Sequence, residues 1–397
     1  MQARHSQSQS GILTVGGTAV QVQGICKPGF EGVRNAFVSN FEEGLELGAS
    51  VAVTLDGEFV VDLWGGDATP DGRAWEQDTI VNVYSTTKTM AATCVLVLAD
   101  RGLVDLHAPV AEYWPEFAQN GKGGGTVAHV MSHSAGVSGF DPPRADTQQL
   151  YDWDDIVRRL AAQAPWWEPG SASGYHAITQ GYLQGEIVRR VSGKSIGTFF
   201  RDEIAEPLGA DFHIGLDPRH DARVGELVPP AGMPDMPVPP DAASISTRTM
   251  DSVKLSALEP QTREWRAAEI PAAGGTGNAH SVARVHSALA CGGSVDGVKL
   301  MSQAGVERVL EEQTRGPDLV LGVHVAMGMG FGLNTKEFPI SPNERSFFWG
   351  GWGGSLAVTD LDARVSFAYV MNRMEADLMG DRRSIPLLKA VYEAAAR

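Results

Sequence analysis

Hydrophobic positions change their period twice in the first quarter of the chain. Over residues 30–47, Phe30, Val33, Phe37, Phe41 and Leu45 recur at helical spacing with acidic side chains between them, which predicts an amphipathic helix. Over 52–64 the period shortens. Two β-rich runs flank Asp56-Gly57, a dipeptide suited to a two-residue hairpin turn. Residues 84–102 return to a helix, opened by Ser and Thr caps and stopped at Asp100-Arg101-Gly102. From Met90 to Leu98 it is apolar on almost every side, so it reads as a buried helix.

The stretch 104–295 is helix and loop punctuated by Pro and Gly, and its Pro-rich segment 229–240 reads as an ordered surface loop. Strand patterning returns at 323–333, 347–358 and 364–371, and an amphipathic helix over 387–396 closes the chain. The first 20 residues are polar, Gly-rich and aperiodic, which predicts a loose arm. Strands at both ends with helices between them predict an α+β fold. Residues 21–103 and 296–397 form one α/β domain, and 104–295 form a mainly helical domain inserted into it.

Composition narrows the function. The chain has 397 residues, with 43% hydrophobic and 20% charged, enough to bury a sizeable core. Its 48 acidic against 32 basic side chains give a formal charge of −16, so it cannot neutralise a polyanion, and nucleic acid is excluded as a partner. Three cysteines, Cys26, Cys94 and Cys291, are too few for a disulfide framework. No apolar run is long enough to span a bilayer, and the first residues lack the apolar core of a secretory signal, so a cytoplasmic location is expected.

Gly193-Lys194-Ser195-Ile196-Gly197 fits the G-x-S-x-G pattern of nucleophile elbows, but the segment before it is helix-like rather than a strand. Ser192-Gly193 reads as a helix end and Ser195 as the cap of the next helix. Ser85-Thr86-Thr87-Lys88 is the stronger candidate. A Ser three residues before a Lys at a helix start puts both side chains on one face, and a Lys at the mouth of a buried helix needs a partner. Two further segments are notable: the Gly/Ser-rich loop 166–177, which presents Tyr175, and the Gly-containing strand 347–355. His129 and His133 are four apart but lack the Glu of H-E-x-x-H, so no metal is expected there.

In this order the three segments resemble the serine β-lactamase and penicillin-binding-protein superfamily, and within it the family VIII carboxylesterases. Residues 129–137 resemble that family's His-Thr-Ser-Gly turn, and Glu206-Pro207-Leu208-Gly209 its loop after a helix. Ala273-Gly274-Gly275 resembles the start of its late helical segment. The resemblance implies a β-lactamase-like fold with an antiparallel sheet flanked by helices. It makes Ser85 the nucleophile, Lys88 its activating partner and Tyr175 the proton shuttle, with an oxyanion hole from Ser85 and Trp352. Trp349-Gly350-Gly351 stands where lactamases carry Lys-Thr-Gly, and His176-Ala177 follows Tyr175 where lactamases end with Asn. Trp349, Gly350, Gly351 and His176 are therefore expected to bind substrate and to favour a small ester over an amide. Acyl transfer and amide or β-lactam hydrolysis remain open on the same Ser-Lys-Tyr set. No cofactor is expected, and no oligomeric state is implied.

Overall fold

The computed structural model describes residues 11–15, 18–230, 241 and 243–396. Its first described segment corrects the expected loose arm over 1–20. Strand β1 (Gly11–Val15) pairs antiparallel with β2 (Thr18–Cys26), Gly11 opposite Val22 and Val15 opposite Thr18. The alternation of Val20 and Val22 with Gln21 and Gln23 is a strand pattern that the Gly and Gln content hides. Residues 1–10 lie outside the described residues, as does most of the Pro-rich loop expected over 229–240.

Eight more strands complete the main sheet: β3 (Gly48–Leu55), β4 (Glu58–Gly66), β5 (Thr314–Pro317), β6 (His324–Met327), β7 (Gly332–Leu333), β8 (Ser346–Gly350), β9 (Leu356–Asp360) and β10 (Val365–Met371). Their order is β1-β2-β4-β3-β10-β9-β8-β7-β6-β5, antiparallel throughout. The hairpin at Asp56 (φ 51) and Gly57 (φ 86) has positive φ at both turn positions, as its sequence predicts. The expected strand over 347–358 is instead a hairpin: Gly353 (φ 105) and Gly354 (φ 117) reverse the chain between β8 and β9. The expected 323–333 strand is likewise split into β6 and β7.

The seam between the two ends of the chain is β3 against β10, from Ala49 opposite Met371 to Leu55 opposite Val365. Both strands are buried along nearly their whole length, because helices cover both faces. Alternation along β10 separates those faces. Ser366 Oγ donates to Ala283 O of the helix Ala279–Ala290 on one, and Tyr369 Oη donates to Glu46 on the other. On the second face the helices Glu31–Glu42 and Ser384–Ala395 pack on each other. The helix Ala279–Ala290 thus packs on the sheet, although the expected boundary at 295 assigns it to the helical domain.

The buried helix expected over 84–102 is a 3₁₀ turn, Tyr84–Thr86, running into the α-helix Thr87–Asp100. Every residue from Thr87 to Ala99 is buried. It packs against Thr179–Ser192 of the helical region, while Gln303–Glu307 of the sheet domain meets its C-terminal end at Asp100. Among the described residues no helix is long and apolar enough to cross a membrane.

Candidate active site

The backbone aims Ser85 before any side chain does. Tyr84 has φ +44, an unfavourable conformation for an aromatic residue, of the kind that costs on the order of 1–3 kcal/mol. It is held there from both sides. Val83 N donates to Gly275 O at 2.9 Å, and Thr87 Oγ1 donates to Tyr84 O at 2.5 Å while accepting from Gly275 N at 2.9 Å. The expected Ser/Thr caps are not made, because Ser85 and Thr86 turn their side chains to other partners.

Ser85 Oγ lies 2.5 Å from Tyr175 Oη and 3.1 Å from Lys88 Nζ, and Lys88 Nζ lies 3.0 Å from Tyr175 Oη. Lys88 is 1% exposed and donates to two carbonyls, Ala177 O at 2.8 Å and Ala272 O at 2.9 Å. Burial holds its pKa well below the usual lysine value. As a neutral amine, Lys88 satisfies both carbonyls with its two hydrogens, which leaves its lone pair facing the two hydroxyls. Burial pushes the Tyr175 phenol up to about 12, so it is neutral near pH 7.

Tyr175 sits on a loop pinned by backbone bonds. Its N–H donates to Asp318 Oδ1 at 3.0 Å, which also accepts from Val320 N and Leu321 N at 2.8 and 2.9 Å. Gly174 N donates to His133 O, and His176 N to His133 Nδ1 at 3.0 Å. Sequence reasoning missed Asp318, and one Asp in a loop gives no signal that could have found it.

The turn after β8 abuts Ser85. A Cβ on Gly351 would stand 2.2 Å from Val83 O and 3.2 Å from Ser85 N, so only glycine fits. Ser355 Oγ lies 3.0 Å from Val83 O and 2.9 Å from Thr86 Oγ1. Ser85 and Tyr175 open into a cleft of about 290 Å³ whose wall includes Tyr84, Ile178, Met250, Val253, Leu255 and Trp352. Among the described residues no Asp, Glu, Lys, Arg or His side chain lines it.

Four expected substrate contacts lie elsewhere. Trp349 stands behind Tyr175, with ring centroids 5.6 Å apart, and stacks on His133. Gly350 lies in β8 against the Leu378 carbonyl, and Gly351 against Val83. His176 is fully buried. Its Nδ1 donates to Gly174 O and its Nε2 accepts from Val137 N, and burial lowers its pKa to about 3. The Trp349-Gly350-Gly351 run therefore shapes the site from behind, while Trp352 supplies the apolar wall.

Ser195 caps the helix Ile196–Phe200, accepting from Thr198 N, and Gly193 ends the preceding helix in the left-handed region. Glu206-Pro207-Leu208 is a final helical turn rather than a loop, ended by Gly209 (φ 65). His129 caps its own helix through Nδ1. Among the described residues no group of three or more His, Cys, Asp or Glu is placed to hold a metal ion.

A hydroxyl, an amine and a phenol in mutual contact, with the hydroxyl and phenol at the floor of an apolar cleft and beside a glycine turn, are the groups that nucleophilic acyl transfer calls for. The beta-lactamase family profile matches residues 37–390, and the chain belongs to that family. Within it the likeness is to esterases. A solved family VIII carboxylesterase superimposes with a TM-score of 0.88 at 44% identity, covering 94% of this chain and 99% of that one. Esterase/beta-lactamase LipL of Mycobacterium tuberculosis (strain ATCC 25618 / H37Rv) is 38% identical over 371 residues, 90% of this chain and 85% of LipL. A penicillin-binding protein homolog from Caulobacter crescentus matches with a TM-score of 0.86 at 42% identity, over 94% of this chain and 99% of that one.

Proposed function

We propose that the protein is a carboxylesterase that hydrolyses uncharged, small-acyl esters through an acyl-enzyme on Ser85. The observation that carries this reading is the triangle of Ser85 Oγ, Lys88 Nζ and Tyr175 Oη, with every side between 2.5 and 3.1 Å.

The Lys88 lone pair takes the proton of Ser85 as its oxygen attacks the ester carbonyl, directly or through the Tyr175 hydroxyl. Tyr175, neutral and 2.5 Å from the attacking oxygen, then passes a proton to the departing alkoxide and takes the one held by Lys88, 3.0 Å away, in its place. The oxyanion is received by the N–H groups of Ser85 and Trp352, neither of which donates to another backbone group among the described residues. One such donor is worth on the order of 3 kcal/mol in the transition state. Water enters by the leaving group's route and releases the acid by the same steps in reverse. No step calls on a cofactor.

Substrate charge follows from the cleft. An anionic acid or β-lactam would enter a wall with no cation, at a desolvation cost nothing there offsets. The test is intact-mass measurement after reaction with a fluorophosphonate, followed by peptide mapping. A single adduct on Ser85 supports the reading, and an adduct on Ser195 or on no serine overturns it.

A further inference from the structure

The turn that carries the Trp352 N–H is fastened on two sides. Toward the nucleophile, Ser355 Oγ holds Val83 O and Thr86, and Gly351 N donates to Ser355 O at 2.8 Å. On the far side, Gly353 O accepts from Arg383 Nη2 at 2.6 Å and from Glu375 N at 3.0 Å.

Arg383 comes from the start of the last helix, and its side chain has no exposed surface. Its other donors are all engaged. Nε and Nη2 reach Asp381 Oδ2 at 2.9 and 2.6 Å, and Nη1 reaches Arg373 O at 2.6 Å and Glu46 Oε2 at 3.4 Å. Asp381 Oδ1 accepts from Arg383 N and Ser384 N, which fixes the carboxylate in turn. The cluster reaches the turn only because Gly354 has no side chain. A Cβ there would stand 2.2 Å from Asp381 Oδ2 and 2.6 Å from Arg383 Nη2.

Burying a guanidinium among carboxylates is a costly way to fill a core, and apolar side chains of similar volume commonly do as well or better. Here the buried cation spends one donor on the carbonyl of a Gly-Gly pair, the backbone with the widest conformational freedom in the turn. We propose that Arg383, oriented by Asp381, is a positioning residue that holds the oxyanion-binding turn through Gly353 O, so that Trp352 N–H points at the carbonyl attacked by Ser85. The proposal rests on the assignment of Ser85 as nucleophile.

The test compares wild type with Arg383→Lys, which keeps the charge but loses the fork, and with Asp381→Asn, which keeps the volume but loosens the fork. For each variant that folds, kcat falls on the order of tenfold or more while KM stays within about twofold, as for a donor used only in the transition state. The rate at which a fluorophosphonate labels Ser85 falls in parallel. Folded variants with wild-type kcat and labelling rate overturn the proposal and leave Arg383 a core residue. If neither variant folds, the crystal structure of the wild-type phosphonate adduct decides. The phosphoryl oxygen is expected within hydrogen-bonding distance of Trp352 N with Gly353 O still on Arg383, and an oxygen turned away from Trp352 overturns it. An adduct on a residue other than Ser85 in the wild type would instead defeat the nucleophile assignment.

Discussion

The Tyr175 hydroxyl lies 2.5 Å from the Ser85 hydroxyl across a sequence separation of 90 residues. The phenol is neutral near pH 7 and, in the proposed mechanism, close enough to give a proton to the alkoxide that departs from the carbonyl carbon attacked by Ser85. Tyr175→Phe removes that donor and leaves the ring packed against Trp349 and His133. Turnover of p-nitrophenyl butyrate is expected to fall by about 10²–10⁴ with the fold intact, the usual range for general acid–base catalysis. Ser85→Ala is expected to lose turnover and phosphonate labelling together. A Tyr175→Phe variant near wild-type rate would remove the phenol from the mechanism.

Lys88 supplies the pH dependence. Only its amine form has a lone pair, and burial lowers its pKa well below the free value. Activity therefore rises with pH as the ammonium loses its proton, then reaches a plateau. The check is kcat/KM against pH with a neutral ester, where a single ascending ionisation is expected. Lys88→Arg, which cannot deprotonate, is expected to be inactive across the range.

Substrate charge is read most directly by paired esters of similar size. The cleft presents Met250, Val253, Leu255 and Trp352 and, among the described residues, no ionisable side chain other than the phenols. A butyrate ester is expected to exceed the matching succinate half-ester in kcat/KM by more than about tenfold, one unpaired charge being worth at least that when desolvated. Nitrocefin is expected to turn over more slowly than the butyrate ester. Equal rates for the two esters would mean that a cation reaches the cleft.

Ser195 tests the competing motif. It caps a helix and donates to Glu269 Oε1 at 2.6 Å. Ser195→Ala is expected to keep kcat/KM within about twofold and to lose about 1 kcal/mol of stability, as for other helix caps, measured by denaturant unfolding.

Acid stability follows from two histidines. His176 and His286 have pKa values lowered by burial to about 3 from 6.5, so between those limits the unfolded chain binds more protons. Their contribution is complete above 6.5 and is lost as pH falls toward 3. Glu46, raised by burial to about 7 from 4.5, acts in the opposite sense between 4.5 and 7. Below 4.5 Glu46 no longer opposes them, and two more groups act in the histidines' sense: His133, lowered by burial, and Asp211, held below its usual range by hydrogen bonds from Arg223 and His213 against the effect of burial. The unfolding midpoint in urea is expected to drop steeply from pH 5 to pH 3.5, and His286→Gln is expected to flatten that slope.

Most of the sheet, the buried helix and the pairing of Ser85 with Lys88 were legible because each has local chemistry: a period, a turn dipeptide, or a spacing at a helix start; Tyr175 joined them only through the family resemblance. What was not legible depends on partners far along the chain. Nothing local in Asp381-Arg382-Arg383 signals burial, yet Arg383 is sealed in against Asp381 and against Glu46 from the other end of the sequence. His176 reads as a ligand beside a catalytic Tyr, but loops at Val137 and Gly174 use both of its nitrogens. Strand β1, Gly-Ile-Leu-Thr-Val, was missed because five residues after a polar, Gly-rich start are too few to show a period.

Because β3 pairs on one side with β4 but on the other only with β10, which is not made before residue 365, a nascent chain carries Ser85 long before the site can close around it. Until the last strand emerges from the ribosome, β3 has a bare edge of buried-type side chains, a template for pairing with other copies. Premature termination anywhere before Val365 should thus yield aggregates instead of a weakened esterase, and refolding from denaturant should be slow, as long loop closures are.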